Sequence, residues 1–348
     1  MYLQQVVKFI GRIKPKKIRK IYKNKITNKD QIMLLDVPTN GNIGDQAIVY
    51  ATRLFLKRLV PNYSILEVTY TDLNAVLNVL KNNLSNHTLI ILNGGGNLGD
   101  IYPSEEFNRW LTFKKLKANK KILFPQSISF QKNKKGEKML KKSISSYTKA
   151  TNLEVFLREK KSFNFFKNKY KINNSTLVPD IVFSLEKAIS INNNKRSGVI
   201  TLLRNDVEKG NYDLTELYKK FVDKSVKYSD TFVANITVDK SNREKLVLDK
   251  INELSKYELV ITDRLHGMIL SYLSHTPTLV IENNNWKIKS TYETWLKKAP
   301  YIEMLSNKPT AQECEEAIRN IKGSDTSYIN VSQNFGPLES AIRDGINE

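Results

Sequence analysis

Residues 263–267 read Asp-Arg-Leu-His-Gly and set an arginine two positions before a histidine. Arg264 offers a planar, permanently charged fork that suits a phosphate or carboxylate. His266 can give or take a proton near neutral pH. Together they suit a small anion that must also be protonated. The apolar run 257–262 before them has the character of a buried parallel strand, and 268–273 after them has helical character. Open α/β sheets hold ligands at such turns, outside the carboxyl ends of their strands.

Four further stretches sit at strand ends. Gly41-Asn-Ile-Gly-Asp45 joins an apolar run, 32–37, to a helical pattern over 46–59. Asn42 and Gly44 shape a turn at a helix N-terminus, where unpaired N–H groups face an anion. Asp45 either caps that helix or faces the cleft and takes a proton from a sugar hydroxyl. Asn93-Gly-Gly-Gly-Asn-Leu-Gly-Asp100 follows the strand-like run 87–92 as a loop. Gly94, Gly95 and Gly96, between Asn93 and Asn97, cost backbone entropy. Either something approaches the main chain closely there, or the turn packs under a helix. Neither loop carries Gly-Lys-Ser/Thr, and neither gives G-x-G-x-x-G with an acid about 20 residues on. Gln126 and Ser127 follow a strand over 121–124, and Arg158 ends a strand over 153–157. Arg158 either pairs with Glu159 or points into a cleft. Asp180, after Pro179, reads as a turn former or helix cap.

Strand and helix patterns alternate along the chain, which implies βαβ units and parallel sheets. A polar stretch at 190–197 separates two halves. Beyond it the pattern predicts strand 198–203, helix 214–228, strand 231–236, helix 243–254, strand 259–262, helix 267–273 and strand 278–282. Two helices, 311–321 and 338–346, follow. The expected fold is α/β, with two Rossmann-like doubly wound domains, 30–189 and 190–310, facing a cleft. Residues 1–29 form a separate basic segment, and 311–348 are expected to pack back on the first domain.

The 348 residues exceed one ordinary core and suit two domains of roughly 150 each. No apolar run approaches the ~20 residues needed to span a bilayer, and residues 1–29 show no h-region or small-residue cleavage site, so no secretory leader is expected. Cys314 is the single cysteine, and the three histidines are scattered without H-E-x-x-H, so no metal is expected. A cytoplasmic protein fits best. The net charge is +21, and ten Lys or Arg lie between Lys8 and Lys29 before the first acid, Asp30. Ile18 and Ile21 continue an apolar stripe begun by Leu3, Val6, Val7, Ile10 and Ile13. Such a segment is either a solvated tail or a peripheral contact with the anionic inner face of the plasma membrane. No nucleic-acid motif accompanies it, so no nucleic-acid partner is expected.

These motifs, with Pro125-Gln-Ser127, Arg158-Glu159 and Val178-Pro-Asp180, occur in the order seen in polysaccharide pyruvyl transferases. The sequence resembles that family over about residues 31–282. The resemblance implies a GT-B-like pair of Rossmann domains. It further implies phosphoenolpyruvate as donor substrate, with no separate cofactor. The acceptor would be a sugar of an exopolysaccharide, capsule or cell-wall glycan precursor, often lipid-linked. Pyruvate would pass to two hydroxyls of that sugar, forming a cyclic ketal and releasing phosphate. Arg158 and Arg264-Leu265-His266 match the family positions that hold phosphoenolpyruvate. His266 then becomes the acid that protonates the donor, with Asp45 as a base. Two other functions use the same cleft: a glycosyltransferase consuming a nucleotide sugar, and a non-catalytic glycan- or lipid-binding component of a polysaccharide assembly complex.

Overall fold

Gln31-Ile-Met-Leu-Leu-Asp-Val37 forms β1 (Gln31–Val37), buried at every position. An unbroken buried run is what a parallel strand covered on both faces requires. The computed structural model describes residues 15–27, 29–189, 195–204, 211–283, 286–323 and 329–347. Its first half contains α1 (Pro15–Lys25), β1, α2 (Ile43–Leu59), β2 (Ser64–Thr69), α3 (Tyr70–Asn83), β3 (Ile90–Leu92) and β4 (Gly95–Gly99). Then come α4 (Pro103–Lys115), β5 (Lys121–Ser129), α5 (Lys134–Thr148), β6 (Leu153–Leu157), α6 (Lys160–Tyr170), β7 (Ser175–Leu177) and a 3-10 helix, Ile181–Lys187. The strands make one seven-stranded parallel sheet in the order β2-β1-β3-β5-β6-β7, with β4 paired to the far end of β5.

The second half contains β8 (Val199–Leu202), α7 (Thr215–Lys219), β9 (Val226–Tyr228), α8 (Arg243–Leu254), β10 (Leu259–Thr262), α9 (Leu265–Leu273), β11 (Thr278–Ile281), α10 (Trp286–Thr291) and β12 (Ile302–Leu305). Its five-stranded parallel sheet runs β12-β11-β10-β8-β9. Chain direction across each sheet reverses once, between β1 and β3 in the first and between β8 and β10 in the second. Ligand crevices open at such reversals. The glycine-rich turns and the Arg-Leu-His turn follow β1, β3 and β10, three of the four strands that flank them.

One apolar core runs between the sheets. Ile48 and Phe55 of α2 share it with Phe183, Met268 and Tyr272. The chain ends in α11 (Ala311–Gly323), a 3-10 helix at Val331–Phe335, and α12 (Gly336–Asn347). Of the C-terminal helices expected on the first half, α11 packs instead on the second sheet, through Cys314, Ala317 and Ile321. Those three residues recur at helical spacing on its one apolar side. Helix α12 lies against the first sheet, with Gly345 beside Leu89 and Lys120.

Other expectations are corrected. The helix predicted over 214–228 stops at Lys219, and Val226–Tyr228 becomes edge strand β9 beside β8. Leu217 and Phe221 are both buried, and their i,i+4 spacing imitated a longer helix. The strand predicted over 231–236 is absent. Val233 N donates to Gly41 O (2.9 Å), and Val238 N to Thr39 O (2.9 Å), so this segment clasps the first half. The loop expected over 93–99 includes strand β4, because Gly95–Gly99 hydrogen-bonds with β5.

Candidate active site

Helix α2 begins with Asn42, whose side chain accepts from Gly44 N at 3.1 Å. Asn42 is therefore the cap, and Asp45 is not. Asp45 lies in the first turn, partly buried. Burial raises its carboxyl pKa, and the nearby positive charge available to His266 opposes the rise. A Cβ on Gly44 would stand 2.2 Å from His266 Nδ1. Only glycine lets the turn after β10 come this close to α2.

Arg158, at the end of β6, is buried. Its Nη1 donates to Asp180 Oδ2 at 2.6 Å and its Nε to Ser127 Oγ at 2.7 Å, while Glu159 Oε2 lies 3.7 Å away. The expected pair with Glu159 thus exists but is secondary to Asp180. Glu159 accepts from Ser127 Oγ at 2.8 Å. Burial raises the Glu159 pKa, and Arg158 opposes this. Asp180 caps its 3-10 helix by accepting from Val182 N at 2.9 Å. Its Oδ2 also lies 3.6 Å from His266 Nε2. Burial alone would push the Asp180 pKa up, yet Arg158 and His266 outweigh it and hold the carboxylate well below its usual range. One carboxylate therefore joins the two halves of the molecule.

The triple-glycine stretch has its own close neighbours. A Cβ on Gly96 would stand 2.8 Å from Arg158 Nη2 and 3.4 Å from Lys287 Nζ. Lys287 donates to Gly96 O at 2.9 Å. A Cβ on Gly94 would meet Pro125 O at 3.0 Å. Gln126 Nε2 donates to Asn93 O at 2.9 Å. Asn97 is held from below by buried Arg109, which donates to its Oδ1 (3.0 Å) and carbonyl (2.9 Å) and pairs with Glu106 at 2.8 Å.

Arg264 Nη2 pairs with Asp230 Oδ1 at 2.8 Å. Leu265, half-buried, opens α9 and packs on the shared core. Asp263 Oδ1 accepts from Arg204 N at 2.8 Å, and burial raises its carboxyl pKa. The structure thus brings together Gly44, Asp45, Gly96, Ser127, Arg158, Asp180 and His266, while the Arg264 fork is turned toward Asp230. Among the described residues, ten buried side-chain N or O atoms lack a hydrogen-bond partner. Seven belong to these motifs: Asn93, Asp100, Gln126, Glu159, Asp263, Arg264 and His266. Buried polar atoms are normally satisfied, so these turns are where a polar ligand or water would find open hydrogen bonds.

A family model for polysaccharide pyruvyl transferases matches residues 42–285 of this chain. The chain belongs to that family. General stress protein 30 of Bacillus subtilis (strain 168) is 32% identical over 317 residues, covering 90% of this chain and 91% of that protein. Pyruvyl transferase 1 of Schizosaccharomyces pombe is 28% identical over 307 residues, 79% of this chain and 72% of that protein. The solved structure of UDP-GlcNAc 2-epimerase from Methanocaldococcus jannaschii aligns with a TM-score of 0.51 at 13% identity, covering 91% of this chain and 99% of that one. That likeness concerns the fold, which is GT-B-like.

Two parts of this candidate site escaped sequence reasoning. Lys287 has no motif around it, and only tertiary contact with Gly96 draws attention to it. Asp180 was legible as a helix cap, and its second role depends on partners 22 and 86 residues away. Trp286 and Trp295 lie in the second half, and both touch the first. Trp295 Nε1 donates to Arg158 O at 2.7 Å, and Lys161 Nζ lies 4.8 Å from the Trp286 ring centroid.

Proposed function

We propose that this pyruvyl transferase uses phosphoenolpyruvate as donor and a sugar of an exopolysaccharide, capsule or cell-wall glycan precursor as acceptor. The observation that carries this reading is the meeting of Arg158 and His266 at one oxygen of Asp180, across the two sheets. A small donor bearing phosphate and carboxylate needs cations from both walls of a cleft: Arg158 and Lys287 meet at Gly96, and Arg264 would have to exchange Asp230 for the donor. Asp180 keeps the Arg158 fork oriented and stands 3.6 Å from His266 Nε2.

His266 would pass a proton to the methylene carbon of the donor, making a methyl group and leaving C2 electron-poor. One sugar hydroxyl adds to C2 and gives up its proton, with Asp45 as acceptor. Its raised pKa suits it to hold that proton. A second hydroxyl of the same sugar then displaces phosphate, which leaves with the second hydroxyl's proton, and the ketal closes. Arg158 and Lys287 would stabilise the departing dianion. Binding both reactants in one cleft supplies proximity.

The test is phosphate release from phosphoenolpyruvate with glycan precursors extracted from the producing cells. Release should require both substrates. His266→Ala should lower turnover by about 10²- to 10⁴-fold while keeping a native circular dichroism spectrum at the assay temperature. Consumption of a nucleotide sugar instead, or full activity in His266→Ala, would overturn the reading.

A further inference from the structure

Large apolar side chains are exposed at only six places among the described residues: Ile101, Tyr102, Phe107, Val222, Tyr228 and Phe232. Phe107 has partners, a Trp110 ring at 5.0 Å and Lys142 Nζ at 4.7 Å. Tyr228 ends edge strand β9 and is paired in register with Thr201 of β8. Phe232 differs: the residue is 52% exposed while its backbone is fixed on both sides. Phe232 N donates to Asp230 Oδ1 at 3.0 Å, the same oxygen that takes Arg264 Nη2 at 2.8 Å. Ile43 N donates to Thr231 O at 2.7 Å, and Val233 N to Gly41 O at 2.9 Å. An isolated antiparallel bridge sets Phe232 opposite Asn42. Contact is so close that a Cβ on Gly41 would stand 1.9 Å from Val233 O.

The ring therefore sits on a seam tied to both the Gly41–Asp45 turn and the Arg-Leu-His turn, and its backbone cannot withdraw it from water. We propose that Phe232 is a platform for the acceptor: it takes the apolar C–H face of a hexopyranose ring. The hydroxyl rim of that sugar then lies toward Asn42, Asp230 and Arg264. A flat aromatic surface suits the sugar's C–H face, and the polar groups on the same lip suit its edge. This assignment rests on the reading of the chain as a transferase acting on glycans. It adds where the sugar lies.

The test uses the full chain with methyl β-D-glucopyranoside and methyl β-D-galactopyranoside as probes, without donor. Saturation-transfer NMR should show magnetisation reaching the ring-face hydrogens of at least one glycoside. Phe232→Ala should weaken that binding about fivefold to tenfold, and Phe232→Tyr should keep it within about twofold, as expected for loss and retention of one aromatic contact. In the phosphate-release assay, Phe232→Ala should raise KM for the glycan by the same factor and leave KM for phosphoenolpyruvate unchanged. The platform is refuted if neither glycoside binds the wild-type chain, if Phe232→Ala binds like wild type, or if only the donor KM moves. Should binding depend on Phe232 while phosphoenolpyruvate yields no phosphate, the platform stands and the donor assignment falls.

Discussion

A buried carboxylate must have its charge met by partners, and Asp180 meets its own twice, at Arg158 and at His266. Removing one member of a buried pair costs about 3–5 kcal/mol, because the other is left uncompensated. Asp180→Asn should fall at the lower end of that range, since Glu159 remains 3.7 Å from Arg158. The pH dependence follows from the direction of the shift. The folded carboxyl pKa lies below its unfolded value of about 3.9. Its contribution is therefore complete above about pH 4 and is lost only as pH falls through the lower folded value. Urea unfolding should give a gap between wild type and Asp180→Asn that is no smaller at pH 5 than at pH 7. A gap that narrowed between those values would contradict the depressed carboxyl. Glycine supplies the other constraint at this scale, for a side chain at position 44 would occupy the place of the His266 ring.

Helix α2 is the element on which the site turns. It carries Gly44 at its start, and α8 clamps its flank. Arg243, buried at the first turn of α8, donates to Gln46 Oε1 at 2.9 Å and pairs with Glu67 Oε2 at 3.1 Å. Tyr50 OH adds a bond to Glu244 Oε1 at 2.9 Å. Arg243→Ala leaves Gln46 Oε1 without this donor and should cost about 2–4 kcal/mol in denaturant unfolding. Turnover should fall with it, because the position of α2 sets the approach of Gly44 to His266. Unchanged stability together with unchanged turnover would show that α8 does not hold α2. The apolar runs of β1 and β10 and the helical spacing of α2 and α8 were legible in the sequence. The segment 231–238 was not, because its backbone hydrogen bonds go to residues 39–43 rather than to a neighbouring strand, and such pairing leaves no period to read.

The charge of the whole molecule bears on where it works. The net charge is +21, and α1 carries part of it. Of the apolar stripe expected to face a lipid surface, Ile18 in α1 packs instead in the core beside buried Tyr22, whose OH donates to Asp72 Oδ2 at 3.0 Å. Residues 1–14, where that stripe was read to begin, lie outside the described residues. Lys16, Lys17, Lys20 and Lys23 remain exposed. Contact of α1 with an anionic bilayer would be electrostatic, about 1 kcal/mol per lysine near the surface, and screened by salt. Co-sedimentation of the full chain with phosphatidylglycerol vesicles should be strong at low salt and vanish near 0.5 M NaCl, roughly where the screening length falls below a lysine side chain. Salt-resistant binding would mean that an apolar segment inserts. No helix among the described residues is long and apolar enough to cross a membrane.

By itself the sequence determined the βαβ alternation, the placing of polar motifs at strand ends, and the ordered set of turns that marks the family. Those are local properties, carried by the spacing of apolar side chains and by residues that tolerate tight turns. Tertiary structure alone decided which strand ends face each other, that Asp180 joins Arg158 to His266, that Arg264 turns to Asp230, and that Lys287 reaches Gly96. Each of those contacts joins side chains from elements far apart in the chain. Their pairing is fixed by how the two sheets pack, and packing leaves no pattern in the order of residues.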